Sequence, residues 1–345
     1  MSEKLQRMLG IELPVIQAPM AGVQGSALAI AVSNAGGLGS LPCAMLSEDD
    51  LRKELAVIRA QTARPVNLNF FCHTTPTPDA ALEQAWRQRF AGYYAELGID
   101  AAAPARGGRQ PFSAGMAALV REFRPAVVSF HFGLPSNELL DAVRASGAKI
   151  FSSATTLEEA LWLEQRGVDA VIAQGVEAGG HRGMFLTADI ATQTGTAQLL
   201  GQIVRAVKVP VIAAGGIAHA NGVRQALALG AAGVQVGTAF LLCPEATTSA
   251  VHRAALKSAA GRDTALTNVF SGRPARGIVN RLMRELGPMS TQAPPFPLAA
   301  SASAPLRALA EKRGSGDFSP MWAGTDVSGC AEVPAAQLLR QLVAT

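Results

Sequence analysis

The chain reads as an α/β protein built on a (β/α)8 TIM barrel, with a smaller, mostly helical cap inserted after the eighth strand. Three observations lead there. Short apolar and β-branched runs alternate with amphipathic segments, as in a parallel sheet buried on both faces. Eight such units follow one another at a spacing of roughly 20–30 residues, the count that a barrel needs. No G-x-G-x-x-G follows the first run, where a doubly wound dinucleotide-binding sheet would carry one; Gln17-Ala-Pro-Met-Ala-Gly22 stands there instead. An open doubly wound sheet is the second choice.

The strand candidates are, in order, residues 14–17, 37–41, 65–70, 126–131, 149–153, 170–174, 210–214 and 233–237. Helical patterns fill 47–61, 136–146, 156–166, 196–207 and 220–229. Ser47 and Thr156 are each followed by acidic residues, which suit a helix N-terminus, and Gly147, Gly167 and Gly230 are placed to end helices. Two stretches break the rhythm. Residues 74–112 form an excursion after the third strand, with an aromatic helix around Trp86–Tyr94 and then a Gly/Ala/Pro-rich stretch. Residues 245–312 follow the eighth strand and read as a helical cap over the barrel mouth, since long connections in compact domains commonly serve as lids. The barrel is then 1–244 together with 313–345.

Composition removes several function classes. Hydrophobic residues make up 49% and charged residues 16%, which suits one large core. A net charge of +4 without a long basic run gives no reason to expect nucleic acid. Cys43, Cys72, Cys243 and Cys330 form no CxxC pair, so neither a zinc site nor a disulfide framework is indicated, and no metal is expected. No signal peptide is visible in Met1–Arg7, and no apolar run reaches the ~18 residues of a membrane span. The expectation is a cytoplasmic enzyme with a small-molecule substrate; a homodimer is allowed but required by nothing in the sequence.

The loop after the sixth strand, Gln174-Gly-Val-Glu-Ala-Gly-Gly-His-Arg-Gly183, carries most of the chemistry. Gly179 and Gly180 permit close backbone approach to a ligand, and His181 supplies a side chain that titrates near neutrality. His131 ends the fourth strand within Ser129-Phe-His-Phe-Gly-Leu-Pro135, a second catalytic candidate. His73 follows the third strand as a mouth residue, whereas His219 and His252 read as helix-surface residues. Glu177 and Arg182 flank His181, in orienting the loop or in chemistry. Gly-rich turns end the last two strands, at Ala214-Gly-Gly-Ile217 and Gln235-Val-Gly-Thr238. Gly215, Gly216, Val236, Gly237 and Thr238 there offer backbone N–H groups, and a hydroxyl, to a phosphate. Asn67 and Asn69 on one face of the third strand, and Gln174 at the end of the sixth, are polar amides in apolar runs; Asn69, nearer the strand's C-terminal end, and Gln174 are placed to bond a ring edge. Phosphate at strands seven and eight with a planar ring toward strands one, three and six fits a flavin mononucleotide.

These motifs, with Trp322-Ala-Gly324 near the C-terminus, resemble the bacterial class I nitronate monooxygenases (formerly 2-nitropropane dioxygenases), in consistent order from about residue 10 to 326. The resemblance implies an FMN enzyme that uses O2 on alkyl nitronates such as propionate 3-nitronate, giving a carbonyl compound and nitrite through a flavin semiquinone. It implies FMN contacts at Asn69, Gln174, Gly179, Gly216 and Gln235 to Thr238, with Ala18, Pro19 and Met20 under the ring, and His181 as the active-site histidine. Enoyl and quinone reductases that use FMN and NAD(P)H carry close versions of the His181 loop, so a reductase is the alternative; a flavin-binding protein without activity is a further one. The segment Leu298–Pro305 has no tyrosine; if relatives cover the substrate with a phenol from the cap, this chain must use Tyr93, Tyr94 or Phe296. Arg273, Arg276, Arg281 and Arg284 in the cap either steer an anionic substrate or form a solvated face.

Overall fold

The computed structural model of the chain describes residues 3–100 and 109–344. Eight parallel strands form the barrel: β1 (Val15–Gln17), β2 (Gly39–Pro42), β3 (Val66–Phe71), β4 (Val127–His131), β5 (Lys149–Ala154), β6 (Ala170–Gln174), β8 (Val211–Ala214) and β9 (Gly233–Val236). Three further strands, β7 (Gly180–His181), β10 (Thr264–Thr267) and β11 (Ala275–Ile278), form a separate sheet. The barrel order is β1-β9-β8-β6-β5-β4-β3-β2. Leu38 closes the ring: its N–H donates to Val15 O at 3.0 Å, and its carbonyl accepts from Gln17 N–H at 2.9 Å. The expected strands all lie within two residues of those observed.

The pleat divides each strand between two cores. Val15, Val171 and Val211 join the large core shared with the surrounding helices. Ile16, Ile172 and Ile212 point the other way and pack with Phe151 and with Leu5 and Leu9 of the short helix Lys4–Leu9. Gly39 shows how close the layers come. A Cβ there would fall 1.9 Å from the Ala29 carbonyl oxygen, in the helix Ser26–Asn34. The last helix, Ala335–Leu342, returns to the barrel and buries Leu338, Leu339 and Leu342 in the large core.

The excursion after β3 is split into two helices, Ala80–Gln88 and Ala91–Leu97. Part of its Gly/Ala/Pro-rich stretch, residues 101–108, lies outside the described residues. Trp86 donates to Ala299 O at 3.1 Å and Tyr94 to Ala302 O at 2.6 Å, so the excursion and the region after β9 share one satellite core. That region holds the helices Ala250–Lys257, Arg281–Leu286 and Ala300–Lys312, but it also holds a β-hairpin, which the helical expectation lacked. The hairpin's second strand, β11, pairs with β7, matching Ala275 to His181 and Arg276 to Gly180. Its sequence shows no apolar alternation; the pairing itself makes it a strand. No helix among the described residues is long and apolar enough to cross a membrane.

Candidate active site

The C-terminal ends of the barrel strands open into a cavity of about 210 Å³. Ala18, Pro19 and Met20 after β1, Asn69 on β3 and Gln174 on β6 line it. So do Gly179, Gly180 and His181 on the β7 segment, His131 on β4, and Gly215, Gly216, Gln235, Gly237 and Thr238 after β8 and β9. Val236 instead faces the large core, as the pleat requires of the residue between Gln235 and Gly237.

The loop that carries His181 is held from below. Arg182 is fully buried and its guanidinium donates to Gln174 O at 2.6 Å, Gly175 O at 2.7 Å and Gln193 Oε1 at 2.9 Å. The Gln174 amide, at the start of the loop, ties down its far end, donating to His181 O at 3.0 Å and accepting from Gly183 N–H at 2.7 Å. It lines the cavity, but its polar atoms are already engaged. Glu177 points away and caps the helix Thr196–Ala206 through Thr196 N–H at 2.8 Å and Oγ1 at 2.7 Å. Glycines serve packing as well as approach. A Cβ on Gly179 would sit 2.6 Å from the Ala323–Gly324 backbone, so Trp322-Ala-Gly324 docks there. Gly180 differs: its φ is +75°, and a Cβ would meet nothing within 4 Å.

His181 is 8% exposed, and its Nε2 lies 2.9 Å from Ser271 Oγ. The Ser271 hydroxyl also reaches Arg273 O at 3.3 Å, so it can accept from Nε2–H and leave the Nδ1 lone pair free. No hydrogen bond reaches Nδ1 among the described residues. Phe296 and Trp322 pack on the imidazole at 5.2 and 5.4 Å between ring centroids. Burial, reinforced by Arg109, His131, Arg273 and His73, holds its pKa well below the ordinary histidine range. The ring is therefore a neutral base at neutral pH.

His131 is committed on both nitrogens, with Nε2 at 3.1 Å from His181 O and Nδ1 at 3.0 Å from Ser153 Oγ. Burial pushes its pKa down to about 3. His73 lies beside Phe296 at 4.8 Å, buried without a well-formed hydrogen bond. His252 overturns the surface reading: it is 4% exposed and lines the cavity, because the segment ending at Trp322 covers its helix. His219 is exposed and bonds Ser328.

The two ends of the cavity carry groups that a phosphate-bearing cofactor would need. Gly215 and Gly216 have φ of +122° and +66°, left-handed conformations in which a loop can turn successive N–H groups toward an anion. Thr238 opens the short 3-10 helix Thr238–Leu242; its Oγ1 accepts from Gly324 N–H at 2.9 Å and keeps its own proton to donate. Gln235 Oε1 is buried with no partner, an acceptor awaiting a donor from a bound molecule. Asn69 donates to Ser129 Oγ at 3.0 Å, which aims the amide along the wall. Asn67 lies below the cavity against Ser40. Among the described residues no group of three or more His, Cys, Asp or Glu is placed to hold a metal ion.

Tyr93 and Tyr94 belong to the satellite core, so of the three aromatics offered by the sequence Phe296 is the one that meets His181. The cap arginines are mostly engaged. Arg273 donates to Met184 O and stacks on Phe132 at 4.0 Å, Arg276 holds Val176 O at 2.8 Å, and Arg281 clasps Glu96 with two 2.7 Å bonds. The cations on the cavity wall are instead Arg109 and Arg307, neither of which the sequence reading singled out.

The sequence model for nitronate monooxygenase matches residues 2–345. A nitronate monooxygenase from Pseudomonas aeruginosa is 42% identical over 346 residues, with 99% of each chain covered. A nitroalkane oxidase structure from Streptomyces ansochromogenes superposes with a TM-score of 0.89 at 38% identity, over 98% of this chain and 96% of that one. FabK from Thermotoga maritima superposes with a TM-score of 0.73 at 26% identity, covering 99% and 95%.

Proposed function

We propose, on the premise that this chain belongs to the nitronate monooxygenase family, that it is an FMN-dependent enzyme oxidising alkyl nitronates with O2 to a carbonyl compound and nitrite. Propionate 3-nitronate is one such substrate. The observation that carries the reading is His181, a neutral and partly unpartnered imidazole on the wall of a cavity whose other walls suit a flavin.

Met20, Asn69, Gln235 and the backbone of Gly180 would hold the ring and ribityl chain of FMN. Gly215, Gly216, Gly237 and Thr238 would hold its phosphate. Bound there, FMN supplies the electron-accepting and O2-reducing chemistry. The chain's own contribution is positioning and proton handling. With a neutral nitroalkane, His181 Nδ1 takes the proton from the carbon beside the nitro group, and the imidazolium then pairs with the nitronate anion. With a pre-formed nitronate that step falls away. Phe71, Phe296 and Trp322 keep water from the imidazole. The region 245–312, which brings His252 and Arg307 to the cavity, acts as the substrate cap.

The test is an anaerobic titration of FMN-loaded protein. Propionate 3-nitronate is expected to change the visible flavin spectrum, and NADH or NADPH to leave it unchanged. Rapid bleaching by a nicotinamide with an inert nitronate would move the protein to the reductases.

A further inference from the structure

Arg109 takes no part in the steps above. It lines the cavity, and its guanidinium sits 5.6 Å from the centroid of Phe296, the ring that packs on His181. Its Nε is buried without a hydrogen-bond partner, and no carboxylate lies within ion-pair reach of it among the described residues. Arg307 lines the same cavity; its Nε is taken by Glu311 at 2.9 Å, and its charge bears on Arg109. His252 stands on that wall too, with Nε2 buried and unpartnered. Asp326 is the carboxylate of the lining, and it is tied to Ser328.

A buried guanidinium without a counter-charge is costly, and a carboxylate that meets it through two parallel N–H···O bonds recovers that cost. Arg109 is one aromatic ring away from the proposed base, so it is not where the reacting carbon sits. Nor does it belong to the glycine turns after β8 and β9 that suit the cofactor phosphate. Resting on the function proposed above, we infer that Arg109, with Arg307 beside it, is the specificity-determining residue of this enzyme. It holds a second anionic group, a carboxylate, on the tail of the nitronate.

Binding and turnover test this separately. Calorimetry under nitrogen with FMN-loaded protein would compare 3-nitropropionate with 1-nitropropane. The wild-type protein is expected to bind the carboxylate ligand at least about tenfold more tightly, and Arg109→Gln to abolish the difference while FMN stays bound. In turnover, Arg109→Gln should lower kcat/KM for propionate 3-nitronate about 30–100-fold and leave propyl-1-nitronate nearly unchanged, with Arg109→Lys recovering part of the loss. Absence of a carboxylate preference in the wild type overturns the inference, as does an equal loss on both nitronates or release of FMN by either variant. A carboxylate preference in a protein that oxidises neither nitronate would keep the subsite and remove the proposed reaction. Equal oxidation of both nitronates, without the preference, would do the reverse.

Discussion

The Nε2 of His131 lies 3.1 Å from the backbone carbonyl oxygen of His181. A carbonyl only accepts, so Nε2 carries the proton and Nδ1 accepts from the Ser153 hydroxyl. His131, set at a strand end where chemistry was expected, is thereby a prop beneath the proposed base. His131→Phe should lower kcat for neutral nitroalkanes about tenfold, and His131→Gln less. The acid limb of the pH–rate profile should stay with His181. A loss as large as that from removing His181 itself would return His131 to the chemistry.

His181→Asn should leave FMN bound and lower kcat/KM for neutral nitroalkanes about 10²–10⁴-fold. Pre-formed nitronates, which have no proton to give, should lose far less. Steady-state kinetics with both forms of one substrate decide this, and unchanged turnover of the neutral form would end the assignment of a base.

Acid should destabilise the fold earlier than carboxylate titration alone would. Burial holds the pKa of His131 near about 3 and those of His73 and His252 near about 4. In the unfolded chain each takes up a proton near ~6.5. Below that pH the unfolded state binds more protons, so stability falls, by up to ~1.4 kcal/mol per pH unit for each histidine, until the folded pKa is passed. Above pH 7 these groups leave stability flat. Urea unfolding between pH 7 and 4.5 measures the slope, and His73→Phe should reduce it.

Arg182→Met should cost about 3 kcal/mol, because it strands the carbonyls of Gln174 and Gly175 in a buried site. A lower Tm and weaker FMN retention are expected together, since the same carbonyls anchor the loop at the cavity. A variant as stable as the wild type would show that the loop holds itself.

The barrel was legible because a strand buried on both faces leaves a short apolar run near Gly or Pro punctuation, as residues 170–173 do between Gly167 and Gly175. His181 was legible because its glycines mark a loop at such a strand's end. His252 was not: helical periodicity gives a face but not what covers it, and the cover comes from Trp322, far along the chain. Arg109 was hidden in a Gly/Ala/Pro-rich stretch with no period to place it. Glu159 reads as a helix-start acid, yet its fully buried carboxylate holds Thr155 and the Phe185 N–H, the latter at 2.6 Å. Local sequence cannot foresee contacts made with another loop.

The pairing of β11 with β7 makes the hairpin of the region after β9 and the segment bearing His181 a single piece of sheet. The two are thus not separable modules. A chimera that imports residues 264–278 from a relative with altered tastes, and leaves residues 175–183 behind, inherits a ladder whose rungs belong to another protein. Exchange of specificity between relatives has to move both segments together.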